Sequence, residues 1–401
     1  MNFDAEARAL LPELIAIRRD LHAHPEIGLD LPRTQSVVRR ALAPLDVELH
    51  LGSGSTSVTA VLRGGKPGPT VLLRADMDAL PIEEETGLAF ASTNGAMHAC
   101  GHDLHVAGLL GAARLLAAHR DELAGTVLFM FQPGEESGGG AQLMIDEGLL
   151  ETTGERPIAG YAIHVVPGEP GVFRTRAGAI MAGANGLRVV VRGQGGHGSA
   201  PHLAVDPVPV LAEIILALQS FVTRRFDVFD PVVISVTKLS AGDVLNVIPE
   251  QATLAGTVRT LSAASVVTLQ EELPSLVGGI AAAHGCTAEV LFEVVYPVTL
   301  NDEATATNAL ATLRAEFGAA RVQAIAAPMM ASEDFSFVAH QVPSTFVLLG
   351  ATPAEALSDT VEMNHSPRAL FDDGVLGSQA AALAALAWSH LGAAGPDGNA
   401  D

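Results

Sequence analysis

Hydrophobic positions along the first 180 residues follow two different periods. Leu10, Leu14, Ile17 and Leu21 have helical spacing and predict an amphipathic helix that runs toward Pro25, where it stops. Short apolar runs predict buried strands, and alanine- and leucine-rich runs predict helices. The predicted strands are 58–63, 70–75, 126–131 and 161–166, and the predicted helices are 106–118 and 141–147. Strands that alternate with helices predict an α/β domain with a mostly parallel central sheet.

The glycine- and proline-rich segment 64–69 predicts a turn, so strands 58–63 and 70–75 are expected to form a hairpin or to lie side by side.

The order of the predicted strands and helices changes after residue 183. The predicted elements there are strand 187–192, helix 206–225, strands 232–239 and 251–259, helix 264–284 and strand 287–295. This β-α-β-β-α-β order is that of a ferredoxin-like α+β domain. The α/β pattern then resumes with strand 345–349 and helix 379–394. We therefore predict an α/β domain at 1–183 and 297–394, interrupted by an inserted domain at 184–296, with a frayed tail at 395–401.

Composition narrows the expected partners. The chain is 48% hydrophobic and 17% charged, which is typical of a globular protein, and its formal net charge is −22. Such a charge repels phosphate backbones, so no nucleic-acid partner is expected. The most apolar long segment, 208–218, is shorter than the ~18–20 residues of a membrane span, and the polar N-terminus does not resemble a signal peptide. Two cysteines cannot build a disulfide framework, which favours a cytoplasmic location.

Five polar clusters follow or join the apolar elements. They are residues 74–78, 98–105, 132–136, 163–164 and 364–367. Cys100 and His102 flank Gly101, and a thiolate with an imidazole suits zinc or a similar divalent ion. Two other interpretations remain: a nucleophilic cysteine–histidine pair, or a buried loop cysteine beside surface histidines.

Adjacent carboxylates follow strand 126–131 through a Pro-Gly turn. Glu135 and Glu136 repel each other, so a cation must compensate one of them or its pKa rises. One carboxylate could then bind a metal and the other act as a general base, although a solvated acidic loop is the alternative. His164 alone suits a hydrogen-bonded core histidine, and His365 alone suits the surface.

Eight motifs occur in an order that resembles the M20 metallopeptidase clan. They are LRADMDALP, MHACGHDLH, FQPGEE, GGHGSAPH, NVIP, GTVRT, SEDF and NHSP. The narrower resemblance, from about Arg19 to His390, is to the M20D amidohydrolases, which include hippurate hydrolases, N-acyl-amino-acid deacylases and auxin-conjugate hydrolases. It implies a zinc-peptidase-like catalytic domain with an inserted ferredoxin-like lid that usually dimerises.

The resemblance also implies roles for individual residues. Two divalent ions per subunit, with zinc favoured over manganese or cobalt, would be bound by Cys100, His102, Glu136, His164 and His365. Glu135 would be the general base, and Asp78 would orient a ligand. His197 would polarise the scissile carbonyl, often from the partner subunit, although alone it suits a plain loop histidine. Asn246 and Arg259 match substrate-binding lid positions, but Arg259 also suits a surface charge at a strand end.

The resemblance thus predicts a cytoplasmic, homodimeric amidohydrolase that cleaves the amide bond of small N-acyl amino acids. A dipeptidase or carboxypeptidase would use the same site, and a non-catalytic metal-binding scaffold is a remoter alternative.

Overall fold

The computed structural model describes residues 1–136, 138–357 and 361–392. The predicted end of the last helix at 393–394 and the predicted tail at 395–401 lie outside these residues. The helices are α1 (Phe3–His22), α2 (Pro32–Leu42), α3 (His102–Ala118), α4 (Gly140–Asp146), α5 (Pro207–Arg225), α6 (Ala263–Ala283), α7 (Glu303–Phe317), α8 (Ser336–Ala339) and α9 (Val375–Leu391). The strands are β1 (Glu48–Leu51), β2 (Val58–Arg63), β3 (Lys66–Asp76), β4 (Ala124–Gln132), β5 (Ala159–Val166), β6 (Phe173–Thr175), β7 (Gly178–Met181), β8 (Gly183–Arg192), β9 (Gly196–His197), β10 (Val233–Ala241), β11 (Val247–Ile248), β12 (Gln251–Thr260), β13 (Thr287–Tyr296), β14 (Thr299–Asn301), β15 (Val322–Ala324) and β16 (Ser344–Gly350).

The chain forms two compact units. The first contains Met1–Ile180, Leu300–Ala327 and the described residues that follow Ser336, and the second contains Met181–Thr299 and Pro328–Ser336. The domain boundaries predicted from the sequence stay predictions.

A mixed eight-stranded sheet lies at the centre of the first unit. Its strand order is β1-β2-β4-β3-β5-β16-β6-β15, and the four central strands β4, β3, β5 and β16 are parallel neighbours. The last six residues of β4, Val127–Gln132, are all buried, as expected for a strand covered on both faces. The predicted α/β class with a mostly parallel central sheet is therefore confirmed.

The predicted pairing of strands 58–63 and 70–75 is wrong. β4 lies between β2 and β3, antiparallel to the first and parallel to the second. The turn signal between β2 and β3 was real, but it reports only that the chain changes direction. At this interior position the apolar β4 forms hydrogen bonds with β2 on one edge and with β3 on the other. If β2 and β3 paired with each other as a hairpin, β4 could not lie between them.

Helix α3 is buried on almost every side, and this holds its first residue in place. Glycines let it approach α9 closely: a Cβ at Gly108 would lie 2.6 Å from the Gln379 side chain, and one at Gly111 would lie 2.7 Å from the Cβ of Ala380. Since α3 begins at His102, its packing fixes the backbone from which the predicted metal ligand projects.

The second unit contains an antiparallel four-stranded sheet in the order β10-β12-β8-β13. Leu187, Val189 and Val191 of β8 share a core cluster with Ile214 of α5 and Leu269 of α6. Both helices therefore cover one face of this sheet, in the predicted ferredoxin-like order.

Among the described helices, α5 is long and apolar enough to cross a membrane by length and composition alone, with a mean hydropathy of 1.3 over 18 residues. It is longer than the predicted apolar segment because Asp206 caps its start, accepting a hydrogen bond from the Val208 N–H, and because it continues to Arg225. Val210, Ile214 and Leu218 on its inner face belong to the core of the second unit.

Candidate metal centre

Polar side chains gather at the carboxyl ends of three adjacent parallel strands. β3 ends at Asp76, which is aligned with Gln132 at the end of β4, and His164 lies near the end of β5. His102 begins α3 at the same edge, with its Nε2 atom 3.6 Å from Asp76 Oδ2. The carboxyl edge of a parallel sheet is where α/β proteins bind ligands.

Gly101 determines the conformation of the loop that enters α3. Its φ angle is 81°, in the left-handed region that favours glycine, and a Cβ there would lie 2.3 Å from Val165 Cγ2. Only glycine therefore fits between Cys100 and His102, and its backbone lets both side chains reach the same edge of the sheet.

The two central histidines each turn an Nε2 lone pair toward the cluster. His102 donates its Nδ1–H to the Asp78 carbonyl at 2.8 Å, and His164 donates its Nδ1–H to the Val165 carbonyl at 2.8 Å. His102 Nε2 is buried without a hydrogen-bond partner among the described residues, and His164 Nε2 lies 3.5 Å from Cys100 Sγ. Fixed tautomers of this kind are typical of metal-binding histidines.

Cys100, Glu136 and His365 form a second group, in which one donor atom from each lies within 4.8 Å of the others. Glu136 Oε1 is 3.2 Å from His365 Nε2. His365 has a φ angle of 70°, rare outside glycine, and its N–H donates to the Ala99 carbonyl at 2.9 Å. The structure thus brings all five predicted metal ligands together in one neighbourhood.

The spacing of these donors fits a divalent ion. Zinc–nitrogen and zinc–oxygen bonds of about 2.0–2.2 Å allow two donors of one ion to be up to about 4.3 Å apart. His102 Nε2 and Glu136 Oε1 are 3.9 Å apart, and an ion between them would satisfy the otherwise unpartnered imidazole nitrogen. A mixed set of thiolate, imidazole and carboxylate donors suits zinc.

Asp78 organises the backbone around this site. Its carboxylate accepts the N–H groups of Glu135 at 3.0 Å and Glu136 at 3.1 Å, while its carbonyl accepts the His102 Nδ1–H. One residue therefore orients three others. Glu135 is buried, and its carboxylate forms a further potential metal-binding group with His102 and Glu136.

Charge around Cys100 favours its thiolate form. Burial alone would raise the pKa of the thiol, but the charge of His164 and the neighbouring His102 and His365 side chains bring it well below its usual range. Burial raises the pKa of Glu136 despite its contact with His365. A thiolate is the form of cysteine that both metal binding and nucleophilic attack require.

Sequence reasoning assigned no role to Asp76, which the structure places inside the cluster. Its Oδ1 accepts the His105 Nδ1–H, and its Oδ2 accepts from Arg74 at 2.7 Å. The Val165 N–H donates to His105 Nε2 at 2.9 Å, so both ring nitrogens of His105 are used within the protein. Burial lowers the pKa of His105 to about 4, against the opposing charge of Asp76. His105 is thus held neutral as a positioning residue. The available signal for Asp76 was its place at the end of an apolar strand.

The three predicted lid residues lie in the second unit, where the structure brings two of them together. β9 pairs with β11 so that His197 is opposite Val247, and the Gly198 N–H donates to the Asn246 carbonyl at 2.8 Å. His197 is exposed, and its Nδ1 accepts from the Ser199 N–H at 3.2 Å. Arg259 lies apart from them on β12, half-buried, where it donates to the Thr257 hydroxyl.

The chain belongs to peptidase family M20/M25/M40, whose model matches residues 72–389, and it is therefore a metal-dependent hydrolase of amide bonds. Thermostable carboxypeptidase 1 of Saccharolobus solfataricus is 38% identical over 96% of this chain and 98% of its own length. Hippurate hydrolase of Campylobacter jejuni is 35% identical over 98% of this chain and 100% of its own. A solved Bacillus subtilis structure, described as a dinuclear metal-binding peptidase of the M20 family, is 34% identical over 95% of this chain and 98% of its own, with a TM-score of 0.81. The resemblance to M20 amidohydrolases is thereby confirmed.

Proposed function

We propose that this protein hydrolyses the amide bond of N-acyl amino acids with the help of two divalent metal ions. The observation that carries the proposal is the convergence of five side chains that could bind a metal, together with a buried glutamate, in one neighbourhood. The hydrolysis of an N-acylated amino acid is the activity after which the Campylobacter relative is named, and that relative covers this chain almost completely.

Cys100, His102, Glu136, His164 and His365 are the proposed ligands. Zinc suits their chemistry best, with manganese or cobalt as alternatives. Two donor groups share Glu136: one contains Cys100 and His365, and the other contains His102 and Glu135. This overlap and the similarity to the dinuclear Bacillus protein support two ions. Bound divalent ions would lower the pKa of water toward ~7 and polarise the scissile carbonyl.

Glu135 is proposed as the general base, and Asp78 as the residue that positions it. The Glu135 backbone is anchored on the Asp78 carboxylate, while its own carboxylate lies within reach of the donor cluster. From there it takes a proton from water and delivers it to the leaving amine.

Residues 184–296 are proposed to form the lid and dimerisation domain. Because His197 Nδ1 accepts a hydrogen bond from a backbone N–H, neutral His197 carries its proton on Nε2, the form that can donate to a developing oxyanion. We propose that it does so in the site of the partner subunit. Asn246 and Arg259 are proposed to bind the substrate, and the Arg259 guanidinium is proposed to pair with the carboxylate of the substrate. A cytoplasmic location is proposed on the basis of the two free, buried cysteines.

The base and ligand assignments are tested by two isosteric variants. Glu135→Gln should keep its metal content and lose most of its turnover, since it deletes the base and spares the ligands. Glu136→Gln should lose metal as well as activity. Metal content is measured by mass spectrometry on the purified proteins, with kcat from the same samples. Equal metal content in both variants, or wild-type kcat in Glu135→Gln, would contradict the assignment.

A carboxypeptidase is the second candidate, because the Saccharolobus relative carries that name at 38% identity. The metal-loaded protein should cleave N-acetyl- and N-benzoyl-amino acids with a higher kcat/KM than the matching dipeptides. A preference for dipeptides would favour the carboxypeptidase or dipeptidase alternative. No turnover of either class by fully loaded protein would favour a scaffold.

The dimer is tested by mixing subunits. Glu135→Gln and His197→Ala chains should each be inactive alone and regain activity when mixed, since a heterodimer contains one site with both residues intact. A mixture that stays inactive after demonstrated subunit exchange would place His197 in its own chain's site or in none.

A further inference from the structure

The four-stranded sheet of the second unit has one face that its two helices do not cover. Leu187, Val189 and Val191 pack into the core with α5 and α6. Because side chains alternate along a strand, Arg188 and Arg192 point to the opposite face. The register of β12 and β10 carries this alternation across the sheet.

Positive charge collects on this open face, although the chain as a whole is strongly acidic. Four cations belong to it: Arg188, Arg192, Lys238 and Arg259. Glu289 and Glu293 of β13 are the acidic residues on the same face of the paired strands. None of the four cations forms an ion pair with a described residue, whereas many arginines of the first unit do. In a protein of net charge −22, an unneutralised cluster of this kind is a local exception.

A groove of about 460 Å³ lies between two of these cations. It is lined by Arg188, Lys238, Ser240, Gln251, Thr253, Leu254 and Ala255. Arg188 and Lys238 are both opposite Ala255, one on each side of β12. Two strand spacings of about 4.8 Å separate their backbones by about 10 Å, and the small Ala255 side chain leaves the space between them open.

We propose that this groove binds a small anion that carries at least two negative charges, such as a phosphate or a dicarboxylate. Arg188 offers a planar fork of donors and Lys238 a point charge from the other side. The hydroxyls of Ser240 and Thr253 lie in the neighbouring register row and can donate from the floor of the groove.

The proposed groove is independent of the proposed hydrolytic function. It is centred four residues along β12 from Arg259, a distance of about 13 Å at 3.3 Å per residue. All its lining residues belong to the second unit, and none is a proposed metal ligand or catalytic residue.

Calorimetric titration of the metal-loaded full chain tests the proposal, with inorganic phosphate and glutarate as separate probes. The variants are Arg188→Gln, Lys238→Gln and the double variant. Arg224→Gln on α5 is the matched control, since Arg224 is an exposed arginine of the same unit without an ion pair among the described residues. Circular dichroism and metal content verify that each variant is folded and loaded.

One probe or both should bind the wild-type protein with one site per chain, and whichever binds identifies the preferred anion. Each single variant should weaken that binding about tenfold or more, because hydrogen bonds to charged groups are the strongest class. The control should bind within about twofold of wild type, since only screened long-range charge is lost there. Three results would overturn the proposal: no binding of either probe at millimolar concentration, unchanged binding in the double variant, or an equal loss in Arg224→Gln. Unchanged binding in the double variant would place the anion elsewhere, including at the metal centre.

Discussion

A buried ion pair joins the first helix to the start of α3, and breaking it tests how the metal-binding loop is held. Arg18 Nε donates to Asp103 Oδ2 at 2.7 Å, with side chains 1% and 0% exposed. His22 Nδ1 donates to the same oxygen at 2.8 Å, and its Nε2 donates to Glu84 at 3.1 Å. Burial opposes the charge on His22, but Asp103 and Glu84 raise its pKa. Arg18 Nη1 also donates to Asp373 at 2.9 Å, so three carboxylates contact these two buried cations next to the metal-binding loop.

The expected magnitude follows from the contacts that Asp103→Asn disturbs. The substitution keeps the side-chain shape but leaves Arg18 and His22 as buried cations with one carboxylate fewer. Two hydrogen bonds to charged groups at about 1.5–3 kcal/mol each give roughly 3–6 kcal/mol. Removing one partner from a buried ion pair typically costs about 3–5 kcal/mol. Both routes predict that the free energy of unfolding falls by about 4 kcal/mol, a large share of the 5–15 kcal/mol typical of a domain.

Urea unfolding of the metal-free and metal-loaded protein measures this loss through the transition midpoint. A second variant, Arg18→Met, and the double variant Arg18→Met/Asp103→Asn complete a cycle in which the double should cost less than the sum of the singles. Arg63→Met is the matched control: Arg63 is half-exposed and pairs with Glu48 at 2.6 Å, so its loss should cost about 0–1 kcal/mol. An Asp103→Asn protein within about 1 kcal/mol of wild type, or a control that costs as much, would refute the reasoning.

Three further predictions concern the metal centre. Gly101→Ala should lower both thermal stability and metal content because it adds a clash with Val165 to an unfavourable φ angle. The control Gly95→Ala has a similar φ angle of 80° but no atom within 4 Å of the new Cβ, so it carries only the backbone strain. The Gly95→Ala protein should therefore unfold at a higher temperature than the Gly101→Ala protein. His105→Asn should bind the full complement of metal at saturation, measured by mass spectrometry, because both ring nitrogens are used within the protein; a lost ion would make His105 a ligand. Cys100 should react slowly with thiol reagents in the metal-loaded protein and faster after chelation, followed by peptide mapping; rapid labelling with unchanged metal and lost activity would instead indicate a nucleophile.

The sequence predicted individual elements more reliably than their arrangement. Strand 58–63 was placed to the residue, but its neighbour was not, because periodicity reports burial and not which strand supplies the hydrogen bonds. Helix α7 was missed because its alanines and threonines give weak periodicity, although Asp302 caps it by accepting from the Thr305 N–H.

The structure brings together the five ligands that the sequence predicted, whereas the sequence assigned no role to a residue such as Asp76 that acts through another. Asp76 and Asp78 lie two positions apart in the same motif, so pattern alone cannot distinguish them. In the structure the Asp76 side chain holds His105, whereas the Asp78 side chain holds two backbone N–H groups. Such a division of roles depends on side-chain direction in three dimensions.

The strand order of the central sheet also sets the order in which the two sheets can form during synthesis. β16, at Ser344–Gly350, pairs with β5, which ends at Val166, so the first unit stays incomplete until nearly the whole chain has been made. The four paired strands of the second unit all lie between Gly183 and Tyr296 and need nothing that follows them. We therefore expect the four-stranded sheet to form first, while the edge of β5 that pairs with β16 is still unpaired. If translation stalls after β5 and before β16 has been made, this edge of β5 is exposed, and we expect a chaperone to bind there.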